Sequence, residues 1–115
     1  MRSQLGDLAR LHHIVEAIQE IESYTSGVTI DEFAHDSMMQ HACVKQLEII
    51  GEASNNITSA FRSLHSTIPW RESVELRNVL VHEYFGVKYE IVWTIIQRDI
   101  PRFKQQITEL LNRLK

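Results

Sequence analysis

Leu8-Ala9-Arg10-Leu11-His12-His13-Ile14-Val15-Glu16-Ala17-Ile18-Gln19-Glu20-Ile21 is the stretch on which the fold turns. Leu8, Leu11, Val15, Ile18 and Ile21 follow one another at steps of three and four. On a helical repeat that spacing draws one apolar stripe along one face. It predicts a helix from residue 3 to about residue 24, ended by Ser26-Gly27. The same pattern recurs along the chain. Thr29-Ile30-Asp31-Glu32 has the form of a capping box opening a short helical turn through Phe33. Asp36 or Ser37 can cap the next helix. Its apolar positions run from Met39 to Leu64, about seven turns or more, with Asn55-Asn56 as the weakest point. Ile68-Pro69-Trp70 reads as a break and a restart, with Pro69 near a helix start. A third main helix is expected from residue 70 to about 84, then a turn at Phe85-Gly86-Val87. A fourth spans 88–114, with Pro101 predicting a kink or short break just before it. The expected fold is all-α: an antiparallel bundle of four main helices plus a short helical turn, forming one domain over residues 1–115.

Composition agrees with a packed helical chain. Apolar residues make up 43% of the 115, against 4 Gly and 2 Pro. That excludes a disordered chain and argues against a many-turned β-protein. The one cysteine, Cys43, cannot form an internal disulfide, which suits a reducing compartment. No stretch approaches the roughly 18 apolar residues of a membrane span, nor does the N-terminus carry an apolar run of signal-peptide length. A cytoplasmic location is the expectation. The net charge of −3 is unevenly distributed. Residues 1–60 carry 3 basic and 9 acidic side chains, whereas residues 61–115 carry 9 basic and 6 acidic ones. The second half therefore leans toward a polyanionic ligand, although no basic run would hold nucleic acid nonspecifically.

That basic half contains Arg77-Asn78-Val79-Leu80-Val81-His82-Glu83-Tyr84. Arginine is a permanent cation whose planar fork matches phosphate. Histidine gives or takes a proton near neutral pH. RNA carries its own nucleophile, the 2′-hydroxyl, so one base, one acid and one cation suffice to cleave it without a metal. Arg77 and His82, five residues apart, stand roughly 140° apart on a regular helix and would not converge on one small group. Either the helix loosens near His82, or a two-fold dimer brings a second copy of the motif to complete the site. Structural roles compete with this chemistry: Arg77 could pair with Glu72, Glu75 or another carboxylate, His82 could be a satisfied half-buried histidine, and Tyr84 could be core. Elsewhere, His12-His13 point about 100° apart, and no Cys/His spacing suggests zinc. Cys43 falls on an apolar stripe, while Trp70 and Trp93 read as core or interface anchors. Gly51 in mid-helix suggests close packing against another helix. A half-buried Glu52 beside it would need a partner such as an arginine or a backbone amide.

The octet resembles the Arg-x4-His-x-Tyr motif of the HepT-like toxins, a branch of the HEPN superfamily of helical ribonucleases. Leu47-Glu48-Ile49-Ile50-Gly51-Glu52-Ala53 resembles the family's Ile-Gly-Glu-Ala signature, and Ile68-Pro69-Trp70 its Ile-Pro-Trp lead-in. Phe33 with Asp36, Tyr84-Phe85-Gly86, Val92-Trp93 and Asp99-Ile100-Pro101 fit the same pattern, so the similarity covers nearly the whole chain. The resemblance implies a HEPN-like homodimer with two motif helices facing across the axis. It implies Arg77 and His82 as the endoribonuclease residues and Asn78 as an accessory polar group. Tyr84 would be the acceptor of AMP from an MntA-like nucleotidyltransferase antitoxin. That partner, not this chain, would use ATP; neither a cofactor nor a metal is expected here. The competing expectation is a non-catalytic helical adaptor that binds the nucleotidyltransferase or nucleic acid through the same face.

Overall fold

A computed structural model of the protein describes residues 2–77 and 88–114, with side chains from residue 6 onward. The first helix, α1 (Arg2–Thr25), carries Leu11, Ile18 and Ile21 fully inside, as its stripe requires. It stops where Gly27 takes φ +73, a left-handed conformation that a side chain would strain. The capping box is present: Thr29 Oγ1 accepts from Glu32 N, and Thr29 N donates back to Glu32 Oε1. It opens α2 (Ile30–Ala34), whose Phe33 is buried. Asp36, not Ser37, caps α3 (Ser37–Asn55), accepting from Met39 N at 2.9 Å.

The long second helix expected through Leu64 is instead two. α3 ends at the Asn55-Asn56 pair, and Thr58 caps a separate α4 (Ser59–Leu64). The cause lies in a remote residue. Asp7, buried in α1, accepts from both the backbone N (2.9 Å) and Oγ1 (2.8 Å) of Thr58. Thr58 Oγ1 in turn accepts from Phe61 N. Satisfying a buried carboxylate at this corner outweighs continuing a helix through two asparagines. The new axis keeps Phe61 inside but leaves Ala60 exposed and Leu64 79% exposed, so the apolar stripe does not continue.

Pro69 leads into α5 (Trp70–Glu75), and Leu76-Arg77 continue as a turn. The helix expected to run to about residue 84 thus ends at Glu75, and residues 78–87, with the turn expected at 85–87, lie outside the described residues. α6 (Tyr89–Thr94) then passes through a π-helical turn at Ile95–Asp99 into α7 (Ile100–Arg113). The irregularity expected ahead of Pro101 is this π turn. A proline lacks the N–H and clashes with the carbonyl four residues back, and the wider turn relieves both.

α1 packs against α3 and α7, while α3 also packs against α2, α5 and α6. Contacts of Asp7 with Thr58 and of Tyr24 with Gln46 set α1 and α3 antiparallel. One buried cluster, including Leu11, Phe33, Leu47, Ile50, Val92 and Ile107, draws on α1, α2, α3, α6 and α7. Phe33 stacks on Trp93 with centroids 5.0 Å apart, closing α2 against α6. Buried Trp70 donates its Nε1 to His65 O and packs near Phe61. No strand occurs among the described residues, and none of the described helices is long and apolar enough to cross a membrane.

Candidate functional site

Gly51 decides where α5 meets α3. A Cβ at that position would lie 2.8 Å from Arg77 Cβ and 3.0 Å from its Cα, and closer still to its backbone N. Only a hydrogen fits, so the backbone that carries Arg77 rests directly on α3. One turn further along, buried Ser54 and Ser73 hydrogen-bond to each other across the same contact. The crossing is thus held by a missing side chain and by a polar pair whose members have no water to turn to.

Arg77 reaches from this crossing back over α3. Its Nη1 donates to Glu52 Oε2 at 3.3 Å. Its Nε is buried and has no partner among the described residues. The Arg77 side chain is 34% exposed and that of Glu52 60%. Glu52 is therefore not half-buried as expected. Gly51 occupies the inward position, and the next residue stands about 100° round the helix, at the rim. The predicted arginine partner is nonetheless there. Arg77 chooses this carboxylate rather than Glu72 or Glu75, and Glu75 instead faces Arg71 at 3.6 Å.

Arg77 and Glu52 form one wall of an open hollow of about 470 Å³, completed by Lys45, Glu48 and Ile49. Lys45, Glu48 and Glu52 are spaced i, i+3 and i+7 on α3, one face of that helix. No sequence motif singles out Lys45 or Glu48; the local signal for them is their spacing relative to Glu52. The hollow offers two cations and two carboxylates with solvent access. Arg77 can present Nη2 to an anion there, since among the described residues its fork engages only Glu52, through Nη1.

Of the other predicted site residues, Asn78, His82 and Tyr84 lie outside the described residues. His12 and His13 are exposed. His35 and His41 each turn Nδ1 onto the carbonyl four residues earlier, of Asp31 and Ser37, at 2.8 Å. Among the described residues, no group of three His, Cys, Asp or Glu side chains is placed to hold a metal. Cys43 is fully buried, and burial pushes its thiol up to about 11. It is an inert core group, since the reactive form is the thiolate.

Comparison with known proteins bears on the same motifs. A family model described as "Ribonuclease HepT-like" matches residues 14–110, a span that includes α3, α5 and the whole octet. A protein named "Probable ribonuclease HepT" in Thermococcus cleftensis is 43% identical over 100 residues, covering 87% of this chain and 91% of its own. "Putative RNase TTE0752" of Caldanaerobacter subterraneus subsp. tengcongensis is 39% identical over 105 residues, 91% of this chain and 94% of the relative. A Methanocaldococcus jannaschii protein named "Gamma-glutamylcyclotransferase and putative RNase MJ0434" is 39% identical over 104 residues, and this chain spans 47% of its length. No solved structure matches. With the family model matching most of the chain and relatives of this identity aligned along nearly all of it, the chain belongs to the HepT-like ribonuclease family.

Proposed function

We propose that this chain is the toxin of a two-gene toxin–antitoxin module (type VII), a metal-independent endoribonuclease made of one domain over residues 1–115 and acting as a homodimer in the cytoplasm. The observation that carries it is the position of Arg77. In a family of ribonucleases, the motif arginine stands at an open hollow, its fork tied among the described residues only to Glu52. His82 of one subunit removes the proton from the 2′-hydroxyl, which attacks the adjacent phosphorus. The 5′-oxygen leaves and takes a proton from a second imidazole, that of the other subunit. Arg77 stabilises the charge that builds on the non-bridging oxygens. Asn78 adds a polar contact near the scissile phosphate. The products are a 2′,3′-cyclic phosphate and a 5′-hydroxyl, and DNA, which lacks the nucleophile, resists.

Tyr84 is the control point in this reading. An MntA-like nucleotidyltransferase transfers AMP from ATP to its hydroxyl, releasing pyrophosphate. A bulky anion beside the cleft then excludes an anionic substrate. Arg77 and Tyr84 lie in one eight-residue motif, and the added phosphate is an anion that the Arg77 guanidinium can pair with.

Incubating the purified protein with single-stranded RNA, with and without chelator, and mapping the ends tests the reaction. Cyclic-phosphate ends that persist in chelator are expected, with cleavage reduced at least a hundredfold in Arg77→Ala and in His82→Ala while both remain folded, a loss on the order of that from removing an oxyanion-stabilising donor. A requirement for Mg²⁺ in the cleavage step, or RNA binding without cleavage by the unsubstituted protein, would overturn it. Intact-mass analysis after treatment with the partner and ATP should show one AMP per chain, absent in Tyr84→Phe.

A further inference from the structure

We infer that Glu52 is a positioning residue for the proposed ribonuclease reaction: its carboxylate fixes the plane of the Arg77 guanidinium over α3. The inference rests on Arg77 having the role given above. Three observations carry it. The backbone of Arg77 seats directly on Gly51, with no room for a methyl group between them, which sets where the side chain starts. Its Nε is buried, so the base of the fork faces the protein rather than the solvent. Its Nη1 is tied to Glu52 Oε2 at 3.3 Å, and Glu52 projects from the residue next to that seat.

These fix a long side chain at both ends. An arginine with a free tip has many rotamers, and ordering it on substrate costs rotamer entropy. Here the guanidinium is held before substrate arrives, and among the described residues Nη2 has no hydrogen-bond partner and can meet a phosphate oxygen. The pair is partly solvated, so its worth to stability is small. What it changes is orientation. Charge that develops on phosphorus during reaction is best met by a donor already in place. Glu52 also places a negative charge at the rim, which opposes RNA binding. Its charge therefore adds nothing to RNA affinity, and what it can contribute is geometry.

The test is a double-mutant cycle on cleavage of a labelled single-stranded RNA, with kcat and KM measured separately and melting followed alongside. Glu52→Ala should lower kcat about tenfold, the cost of a loosened reacting group. KM should be unchanged or lower, and the melting temperature should be preserved. Glu52→Gln, which keeps an acceptor oxygen at the same reach, should recover most of kcat. In an Arg77→Lys background, where there is no fork to orient, Glu52→Ala should change kcat by less than about twofold. An unchanged kcat in Glu52→Ala overturns the inference. So does an equal loss in the Arg77→Lys background, or a loss that tracks melting. Absence of cleavage by the unsubstituted protein overturns the function itself, and this inference with it.

Discussion

Gly51 and Arg77 show how one atom can decide a site. Glycine costs about 1 kcal/mol against alanine inside a helix, and α3 bears that cost to let α5 approach. Gly51→Ala would regain the helical preference but drive a methyl group into the backbone of Arg77, which cannot yield as a flexible side chain would. Overpacking of this kind costs about 1–3 kcal/mol. The expected outcome is a net loss of stability of up to about 2 kcal/mol, read as a fall in melting temperature of several degrees. A displaced Arg77 should lower RNA cleavage further than stability alone explains. Unchanged melting would mean that the two helices are not so close. The sequence marked Gly51 as a packing position and Glu52 as needing a partner. It did not say that one arginine, 25 residues beyond Glu52, answers both.

At the scale of the element, the corner between α3 and α4 is set by Asp7 and Thr58. Thr58→Ala removes a helix cap, usually about 1 kcal/mol. Here it also strips the buried Asp7 carboxylate of a hydroxyl donor, and a buried group left short of partners costs about 1–3 kcal/mol more. Chemical denaturation should therefore show a loss larger than an ordinary cap substitution. Asp7→Ala and Thr58→Ala combined should cost less than their sum, since they share one network. Simple additivity would place them in separate contacts. The caps at Thr29 and Asp36 were readable because donor and acceptor lie three residues apart. The π turn ahead of Pro101 was readable as an irregularity, for the same local reason. The break after Asn55 was visible only as a weak point, because the group that exploits it lies 51 residues away.

For the whole molecule, Cys43 reports on the core. Its thiol lies fully inside the core, and burial holds it protonated up to about 11, against an ordinary value near 9. An unfolded chain loses that proton at lower pH than the folded one. The stabilising contribution is thus intact below about pH 9 and is lost as pH rises toward about 11. Melting followed between pH 8 and 11 should show this decline reduced in Cys43→Ala relative to the parent. Iodoacetamide should label the native protein only at the rate of global opening, in step with hydrogen exchange of the core. Rapid native labelling would put the thiol near the surface.

The sequence by itself determined the helical class, the local starts and stops of most helices, which faces turn inward, and the family to which the motifs belong. Those follow from periodicity, caps and motif spacing, all of which act within a few residues along the chain. Only the tertiary structure decided that α3 and α4 part company, that Leu64 faces solvent, that Glu52 stands at a rim, and that Lys45 and Glu48 join Arg77 around one hollow. Each of these depends on a pair of groups far apart in sequence, brought together by helix packing, and no short-range pattern records which distant partner a buried carboxylate or a guanidinium will find.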